Sequence, residues 1–185
     1  PILAVLKAHL PPTGLVLKIA AGTGEHGVHM ARNLPGLTWL PTDPDPLALT
    51  TIEAWRAEAA LPNLLPAIAL DASKPAGWPV PRADAVVCIN MIHISPWAAT
   101  QGLMEGSGRR LPPGGVLYLY GPYREADVPT ADSNEAFDAN LKGRNPAWGL
   151  RDREAVVAEA ARHGLALAAR VEMPANNLSL VFRRG

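Results

Sequence analysis

The chain has 185 residues, of which 48% are apolar, and a mean hydropathy of +0.05, as expected for one globular domain with a substantial core. Seventeen basic and seventeen acidic residues cancel, so no overall field favours nucleic acid or an anionic membrane. No apolar stretch approaches the roughly 20 residues of a membrane-spanning helix. We expect a cytoplasmic domain without a signal peptide or a metal site. The role of any residues before Pro1 lies beyond what this sequence predicts.

Strands and helices are predicted to alternate over the first 120 residues. Prolines after the second strand are expected to end it and to start a helix whose inner face carries Ile52 and Trp55. This alternation predicts a parallel sheet with helices on both faces. The predicted helices are 2–10, 25–33, 47–60 and 97–111, and the predicted strands are 15–20, 37–40, 66–70, 84–89 and 116–120.

The alternation stops at residues 121–151, about thirty polar, aromatic and proline-rich residues with one predicted helix at 133–142. A connection of that length is usually functional or disordered, and we expect a lid over a substrate site. A helix at 152–163, capped by Asp152, follows. Strands 165–171 and 178–182 must be antiparallel because only a short turn joins them. The whole chain, 1–185, is predicted to be one domain.

A glycine loop follows the first predicted strand and leads directly into a helix. Gly22 and Gly24 lack the Cβ atoms that would keep a ligand away from the main chain, and the helix start offers unpaired N–H groups. The spacing of Gly22, Gly24 and Gly27 also matches the dinucleotide fingerprint, which is a weak signal alone.

Polar residues follow the other predicted parallel strands. Asp43 ends the second strand, Asp71 and Ala72 end the third, and Asn90 to His93 follow the fourth. In open parallel sheets, ligands bind beyond the carboxyl ends of the strands. One such aspartate alone would be read as a helix cap, but agreement among four strand ends predicts a ligand that contains a nucleoside.

Two ligand classes fit this arrangement, a nicotinamide dinucleotide and S-adenosylmethionine. For the second, Ala20, Gly22 and Gly24 are expected to hold the methionine part. Asp43 would bind the ribose hydroxyls, and Asp71–Ala72 the adenine edge. A dinucleotide fold would end with parallel strands, so the predicted antiparallel hairpin at the end of the chain favours S-adenosylmethionine.

Several later motifs are more specific than the glycine loop. Through them the chain resembles a methyltransferase-like family of unknown function within the class I S-adenosylmethionine-dependent methyltransferases. The resemblance covers nearly the whole chain and implies a seven-stranded sheet of order 3-2-1-4-5-7-6 with strand 7 antiparallel, S-adenosylmethionine as cofactor, and methyl transfer. The motifs that carry it are Ile19–His26, Asn90–Trp97, Tyr120–Tyr123, Ser133–Asp138, Trp148–Asp152 and Met173–Asn177.

Lys18 departs from that resemblance, because the family and its superfamily usually carry an acidic residue near the end of the first strand. The acid helps to fix the loop and the ammonium group of the cofactor. A lysine there would repel the ammonium group, unless its long side chain carries the charge away.

Methyl transfer depends largely on positioning, so a catalytic base is not required. His93 is nevertheless a candidate general base, or else a histidine that holds its loop in place. Asn90 is predicted to contact both cofactor and acceptor, or else to stabilise its turn. Arg151 is a candidate clamp for a substrate carboxylate, or else an ion-pair partner of Asp138 or Asp152. The candidate substrate-binding residues are Tyr123, Asn134, Phe137, Trp148, Arg151, Asn176 and Asn177.

The sequence therefore predicts an α/β, Rossmann-like domain that methylates a small molecule with S-adenosylmethionine. Three alternatives stay open: a non-catalytic domain that binds S-adenosylmethionine or S-adenosylhomocysteine, a protein methyltransferase, and a nicotinamide-dependent oxidoreductase. The acceptor and the oligomeric state cannot be read from the sequence.

Overall fold

A seven-stranded sheet forms the middle layer of the protein, whose computed structural model describes all residues from Pro1 to Gly185. The helices are α1 (Ile2–His9), α2 (Glu25–Asn33), α3 (Pro46–Ala59), α4 (Trp97–Arg110), α5 (Asp132–Arg144) and α6 (Arg153–Arg162). The strands are β1 (Gly14–Ile19), β2 (Leu37–Asp43), β3 (Ile68–Ala69), β4 (Ala85–Ile89), β5 (Val116–Gly121), β6 (Tyr123–Arg124), β7 (Arg151–Asp152), β8 (Leu165–Met173) and β9 (Asn177–Arg184).

The strand order of the sheet is β3-β2-β1-β4-β5-β9-β8, and β9 runs antiparallel to both of its neighbours. The other neighbouring pairs are parallel. The predicted order 3-2-1-4-5-7-6 is therefore confirmed, since the last two predicted strands are β8 and β9. The pair β6 and β7 was not predicted. These two strands lie at the two ends of the segment 121–151 and form a separate parallel sheet.

The second strand is longer than predicted, because β2 continues through Pro41 to Asp43. The expectation that proline would end it was wrong. The N–H of Leu65 donates to the carbonyl oxygen of Trp39, but Pro41 has no N–H with which to continue this ladder. Pro66 follows Leu65, so the pairing resumes only at β3. The missing hydrogen bonds shorten β3 to two residues and leave β2 intact.

Each face of the sheet is covered by its own apolar cluster. Along β1 the side chains alternate, with Val16 in one cluster and Leu17 and Ile19 in the other. All five residues of β4 are buried, as expected of a strand covered on both faces. Ile52 of α3 is buried as predicted, but Trp55 is 36% exposed and its predicted inward position was wrong.

The segment 121–151 is folded. It contains β6 and α5, which confirms the predicted helix there. The half-buried carboxylate of Glu125 accepts hydrogen bonds from Arg153 of α6 and Arg170 of β8 and so joins the segment to the rest of the fold. Asp152 precedes α6 as predicted, but its side chain makes no capping hydrogen bond, so the expected capping role was wrong. None of the helices has the length and apolarity that crossing a membrane requires.

Candidate functional site

A cavity of about 590 Å³, called here the first cavity, opens beyond the carboxyl ends of β1, β2, β3 and β4. This volume is typical of small-molecule sites. Six of the seven predicted cofactor-binding residues line it: Ala20, Gly22, Asp43, Asp71, Ala72 and Asn90. The complete lining consists of Lys18–Thr23, His26, Asp43–Pro44, Leu70–Ser73, Ile89–Met91, Ile94–Pro96 and Ala98–Ala99.

The two glycines of the loop have different surroundings. Gly22 has a φ of +62°, and a Cβ added there would meet no atom within 4 Å, so its main chain faces open space. Gly24 has a φ of +94° and packs against α3, where an added Cβ would lie 3.0 Å from the Cα atom of Ile52. Gly24 lies outside the cavity lining, and its contact supports the packing of α2 on α3.

Asp43 fastens the glycine loop to the chain that enters α3. Its Oδ2 accepts a hydrogen bond from the N–H of Gly22 at 3.0 Å, and its Oδ1 accepts one from the N–H of Asp45 at 3.0 Å. The helix cap is Asp45, which accepts from the N–H of Leu47 at 2.9 Å. Because a carboxylate offers about four acceptor positions, Asp43 retains lone pairs for ligand hydroxyl groups.

Asp71 and Ala72 form a rigid wall of the first cavity. Oδ1 of Asp71 accepts from Oγ and N–H of Ser73 at 2.7 and 2.9 Å, and Lys74 lies 3.1 Å from Oδ2. These partners, the Ser73 hydroxyl above all, lower the pKa of Asp71. The carbonyl oxygen of Ala72 packs so closely on α4 that a Cβ at Gly102 would lie 2.1 Å from it. Gly102 therefore allows α4 to support this wall.

A second cavity, of about 500 Å³, adjoins the first and shares Asn90 and Ile94 with it. Five of the predicted catalytic and substrate-binding residues line it: Asn90, His93, Asn134, Phe137 and Asn177. The remaining lining residues are Ile94, Tyr120, Pro122, Ser133 and Ala175, so the wall contains no Asp, Glu, Lys or Arg side chain.

Asn90 stands where the two cavities meet. It has a φ of +57°, a conformation that asparagine tolerates better than most residues, and its N–H donates to the carbonyl oxygen of Tyr120 at 2.9 Å. Its side chain is exposed and makes no hydrogen bond within the protein. The amide is therefore free to bond to a ligand in either cavity.

His93 is 5% exposed and packs its ring against Phe137, with the ring centroids 5.6 Å apart. The ring also lies beside Gly121, where a Cβ would come within 3.1 Å of Nδ1. Burial, and secondarily the charge of Arg151, lower the pKa of His93 to about 4. The imidazole is therefore uncharged at neutral pH and is a weak base.

The remaining amide side chains hold α5 against the turn between β8 and β9. Nδ2 of Asn134 donates to the carbonyl oxygen of Asn176 at 3.0 Å, and Nδ2 of Asn176 donates to Oγ of Ser133 at 3.2 Å. Asn177 donates to carbonyl oxygens of its own turn. Tyr123, Asn134, Asn176 and Asn177 also line a smaller, third cavity of about 260 Å³.

Arg151 and Trp148 are not brought to the three cavities. Arg151 donates to the carbonyl oxygens of Ser95 and Ala147 at 2.8 and 2.7 Å, and it forms neither of the expected ion pairs with Asp138 or Asp152. Asp138 pairs instead with Arg124 and Lys142. Trp148 is half-buried beneath the guanidinium group of Arg144. The substrate-binding roles of Arg151 and Trp148 stay predictions that this geometry does not favour.

Sequence reasoning missed several cavity residues, of which Tyr120, Ile94 and Lys18 are instructive. Tyr120 precedes the end of β5, so the rule that ligands meet strand ends would have found it. Ile94 joins the two cavities but looks like a core residue in the sequence. Lys18 was noted only as a departure from a family pattern; the fact that its side chain lies in the cavity wall depends on the packing around β1.

The sheet order, the antiparallel β9 and the site at the strand ends define a Rossmann-like fold of the class I methyltransferase type. Residues 1–184 match the family described as "Protein of unknown function (DUF938)", and the chain belongs to that family.

Several solved structures with the same fold are methyltransferases. An O-methyltransferase family protein from Burkholderia thailandensis superposes with a TM-score of 0.84 at 16% identity, over 100% of this chain and 55% of that one. Human N-acetylserotonin methyltransferase in complex with S-adenosylmethionine gives 0.81 at 16% identity, over 98% and 51%. CalO1, a methyltransferase of calicheamicin biosynthesis with bound S-adenosylhomocysteine, gives 0.78 at 17%, over 98% and 52%. The chain spans about half the length of these proteins.

Proposed function

We propose that the protein is an S-adenosylmethionine-dependent methyltransferase that acts on a small molecule. The observation that carries this proposal is the pair of adjoining cavities that meet at Asn90. A methyltransferase needs one site for the cofactor and another for the acceptor, open to each other at the reacting atoms. The likeness of the fold to methyltransferases that act on small molecules supports the same conclusion.

The residues of the first cavity fit the cofactor. The open main chain at Gly22 suits the amino-acid part, and Asp43 retains acceptor positions for the ribose hydroxyls. The wall at Asp71–Ala72 is rigid and largely apolar beyond the carboxylate, which suits an adenine ring. When bound, S-adenosylmethionine supplies an electrophilic methyl group on a sulfonium sulfur.

The second cavity suits the acceptor. Asn90 can orient an acceptor hydroxyl or amine through its unpaired amide. His93 is uncharged at neutral pH and so can accept a hydrogen bond, but its low basicity suits it to orienting the acceptor more than to removing a proton. Phe137 covers the imidazole from the outer side and helps to exclude water from the cavity.

Parallel calorimetric titrations with S-adenosylmethionine, S-adenosylhomocysteine and NAD test the cofactor. We expect binding of the first two and none of NAD; binding of NAD alone would favour the oxidoreductase. Incubation with tritium-labelled S-adenosylmethionine and a cell extract separated by size then tests the reaction. Label in the small-molecule fraction supports the proposal, whereas label in the protein fraction would support a protein methyltransferase.

A non-catalytic domain that binds S-adenosylmethionine or S-adenosylhomocysteine is the second candidate. It is favoured by the weak basicity of His93 and by the buried cation, Lys18, in the wall of the first cavity. Tight binding of both compounds without labelled product in either fraction would support it.

A further inference from the structure

Lys18 is a buried cation without an ion pair. It is 2% exposed, yet it lines the first cavity at the end of β1. Its Nζ donates to the carbonyl oxygens of Ile19 and Ala20 at 3.0 and 3.3 Å, and it pairs with no carboxylate. Carbonyl dipoles accept its hydrogen bonds, but no anion is in direct contact with its charge. A buried charge of this kind is costly unless something else compensates it.

None of the groups around Lys18 forms an ion pair with it. The charge of Asp43 on β2 acts on Lys18, but the two side chains are not in contact, and each Asp43 oxygen accepts a hydrogen bond from a main-chain N–H. Cys88 on β4 is buried, which raises its pKa to about 11 and keeps the thiol neutral. His26 on α2 has a lowered pKa, through burial and then through the charge of Lys18. Lys18 therefore has no directly paired anion at the loop end of the first cavity.

We propose that Lys18 binds the carboxylate of the ligand's amino-acid part and makes the first cavity select against an ammonium group at that position. This inference rests on the proposed function, because it presumes a ligand with an amino-acid part at the glycine loop. Burial lowers the pKa of Lys18 to about 8, so the side chain remains mostly charged at neutral pH.

Hydrogen bonding acts in the same direction as charge. An ammonium group needs acceptors, and the carbonyl oxygens of Ile19 and Ala20, where β1 meets the loop, each already accept a hydrogen bond from Lys18. A carboxylate needs donors, and the Lys18 ammonium group has a third N–H that can donate, whereas the N–H of Gly22 already donates to Asp43. Lys18 therefore occupies acceptors that a ligand ammonium group would need, and it offers a donor to a ligand carboxylate.

Four nucleosides separate these contributions. S-Adenosylhomocysteine carries both charges, its decarboxylated analogue only the ammonium group, its deaminated analogue only the carboxylate, and methylthioadenosine neither. In the unaltered protein, the deaminated analogue is expected to bind at least about tenfold more tightly than the decarboxylated one, since a nearby unit charge easily contributes that ratio in a buried site.

Three variants complete the experiment. Lys18→Met should bring the two affinities close to equality, Lys18→Glu should reverse their order, and Lys7→Met, which changes an exposed lysine of α1, should leave the ratio unchanged. Unchanged binding of methylthioadenosine would show that the cavity of each variant is intact.

The Lys18 assignment is overturned if the unaltered protein binds both charged analogues equally, or if Lys18→Met keeps the original ratio. If none of the four nucleosides binds the unaltered protein, the proposed function itself is wrong. Binding of methylthioadenosine and S-adenosylhomocysteine without any charge preference would leave the proposed function standing and remove only the role of Lys18.

Discussion

The two adjoining cavities are built in different ways. The first is lined mainly by residues at or just beyond the ends of β1, β2, β3 and β4, the parallel part of the sheet. The second is lined in part by residues of α5 and of the chain between β8 and β9, elements that are distant in sequence. The first cavity is thus part of the sheet, whereas the second exists only while the segment 121–151 stays docked.

Polar contacts both hold this segment together and join it to the rest of the protein. Arg124 and Lys142 pair with Asp138 within the segment, and Glu125 of the segment accepts hydrogen bonds from Arg153 and Arg170 outside it. Such contacts depend on precise geometry and contribute less to stability per group than apolar burial. We therefore expect that the second cavity can be disrupted while the first is preserved.

The largest expected effect comes from removing Asp138, whose side chain is 5% exposed. Asp138→Ala removes the partner of Arg124 and Lys142 and leaves the buried N–H of Leu150 without an acceptor. An unsatisfied buried N–H costs about 1–3 kcal/mol, and the lost hydrogen bonds from Arg124 and Lys142 add to that cost. Urea denaturation should show this loss, while S-adenosylhomocysteine should still bind.

Glu135→Ala is the matched control, because Glu135 also pairs with Arg124 but its side chain is 50% exposed. Exposed pairs contribute less than about 1 kcal/mol. If both variants lose the same stability, or if Asp138→Ala abolishes ligand binding, the two cavities are not independent.

A second prediction concerns acid and His93. The pKa of His93 is near 6.5 in the unfolded chain and about 4 in the folded protein. Protonation therefore favours the unfolded chain, and the free energy of unfolding falls as the pH drops from 6.5 to 4. The loss is on the order of 3 kcal/mol at pH 4. The free energy of unfolding of the unaltered protein, relative to His93→Gln, should decrease accordingly between pH 7 and 4.

His29→Gln, which changes an exposed histidine of α2, controls for histidine content. Comparing variants also removes the contribution of carboxylates, which titrate in the same range. Parallel pH profiles for the unaltered protein and His93→Gln would mean that His93 is not held in a buried, uncharged state.

The sequence predicts the first cavity well for a physical reason. Parallel strands place their carboxyl ends along one edge, so Gly22, Asp43, Asp71 and Asn90 could be brought together without knowledge of any side-chain contact. The sheet order followed from the same regularity and from a family resemblance. The ends of the strands were predicted less accurately, as Pro41 in β2 shows. A proline ends a strand only where the neighbouring strand needs a hydrogen bond from the missing N–H.

The second cavity was predicted only as a set of residues. Phe137 and Asn134 do reach it, but Arg151 and Trp148 do not. The pattern of apolar residues in the sequence does not indicate which arginine pairs with Asp138, because that pairing depends on tertiary packing. Arg124, which was not considered, forms this pair.

A third prediction tests the strand-end assignment of Asp43. Asp43→Ala should weaken S-adenosylhomocysteine binding by about 1.5–3 kcal/mol, the range for hydrogen bonds to a charged group. Part of this loss would come from the loop, because Asp43 also holds the N–H of Gly22. The loss should therefore be smaller for an analogue that lacks the ribose hydroxyls.

Asp45→Ala is the control, since it removes a neighbouring acid that caps α3 and does not line the first cavity. It should lower stability by about 1 kcal/mol and leave binding unchanged. An equal loss for both ligands in Asp43→Ala would assign Asp43 to the loop alone.

The smallest expected effect concerns motion of the segment 121–151. Only Asn134, Asp138 and Leu141 of α5 are buried, whereas every residue of β4 is. Amide hydrogens of α5 should therefore exchange faster than those of β4 in the free protein. Asn134 and Phe137 line the cavity that adjoins the proposed cofactor site, so S-adenosylhomocysteine should slow exchange in α5 a few-fold. That factor corresponds to a change of less than about 1 kcal/mol in the free energy of local opening.

Hydrogen exchange followed by mass spectrometry measures this difference without knowledge of the acceptor. Residues 25–33 of α2 provide the internal reference, since they contact the glycine loop directly and should respond to the same ligand. If α5 is as protected as β4 and does not respond while α2 does, the segment is a packed part of the fold and not a lid. Arg151 and Trp148 would then be structural residues that hold it in place.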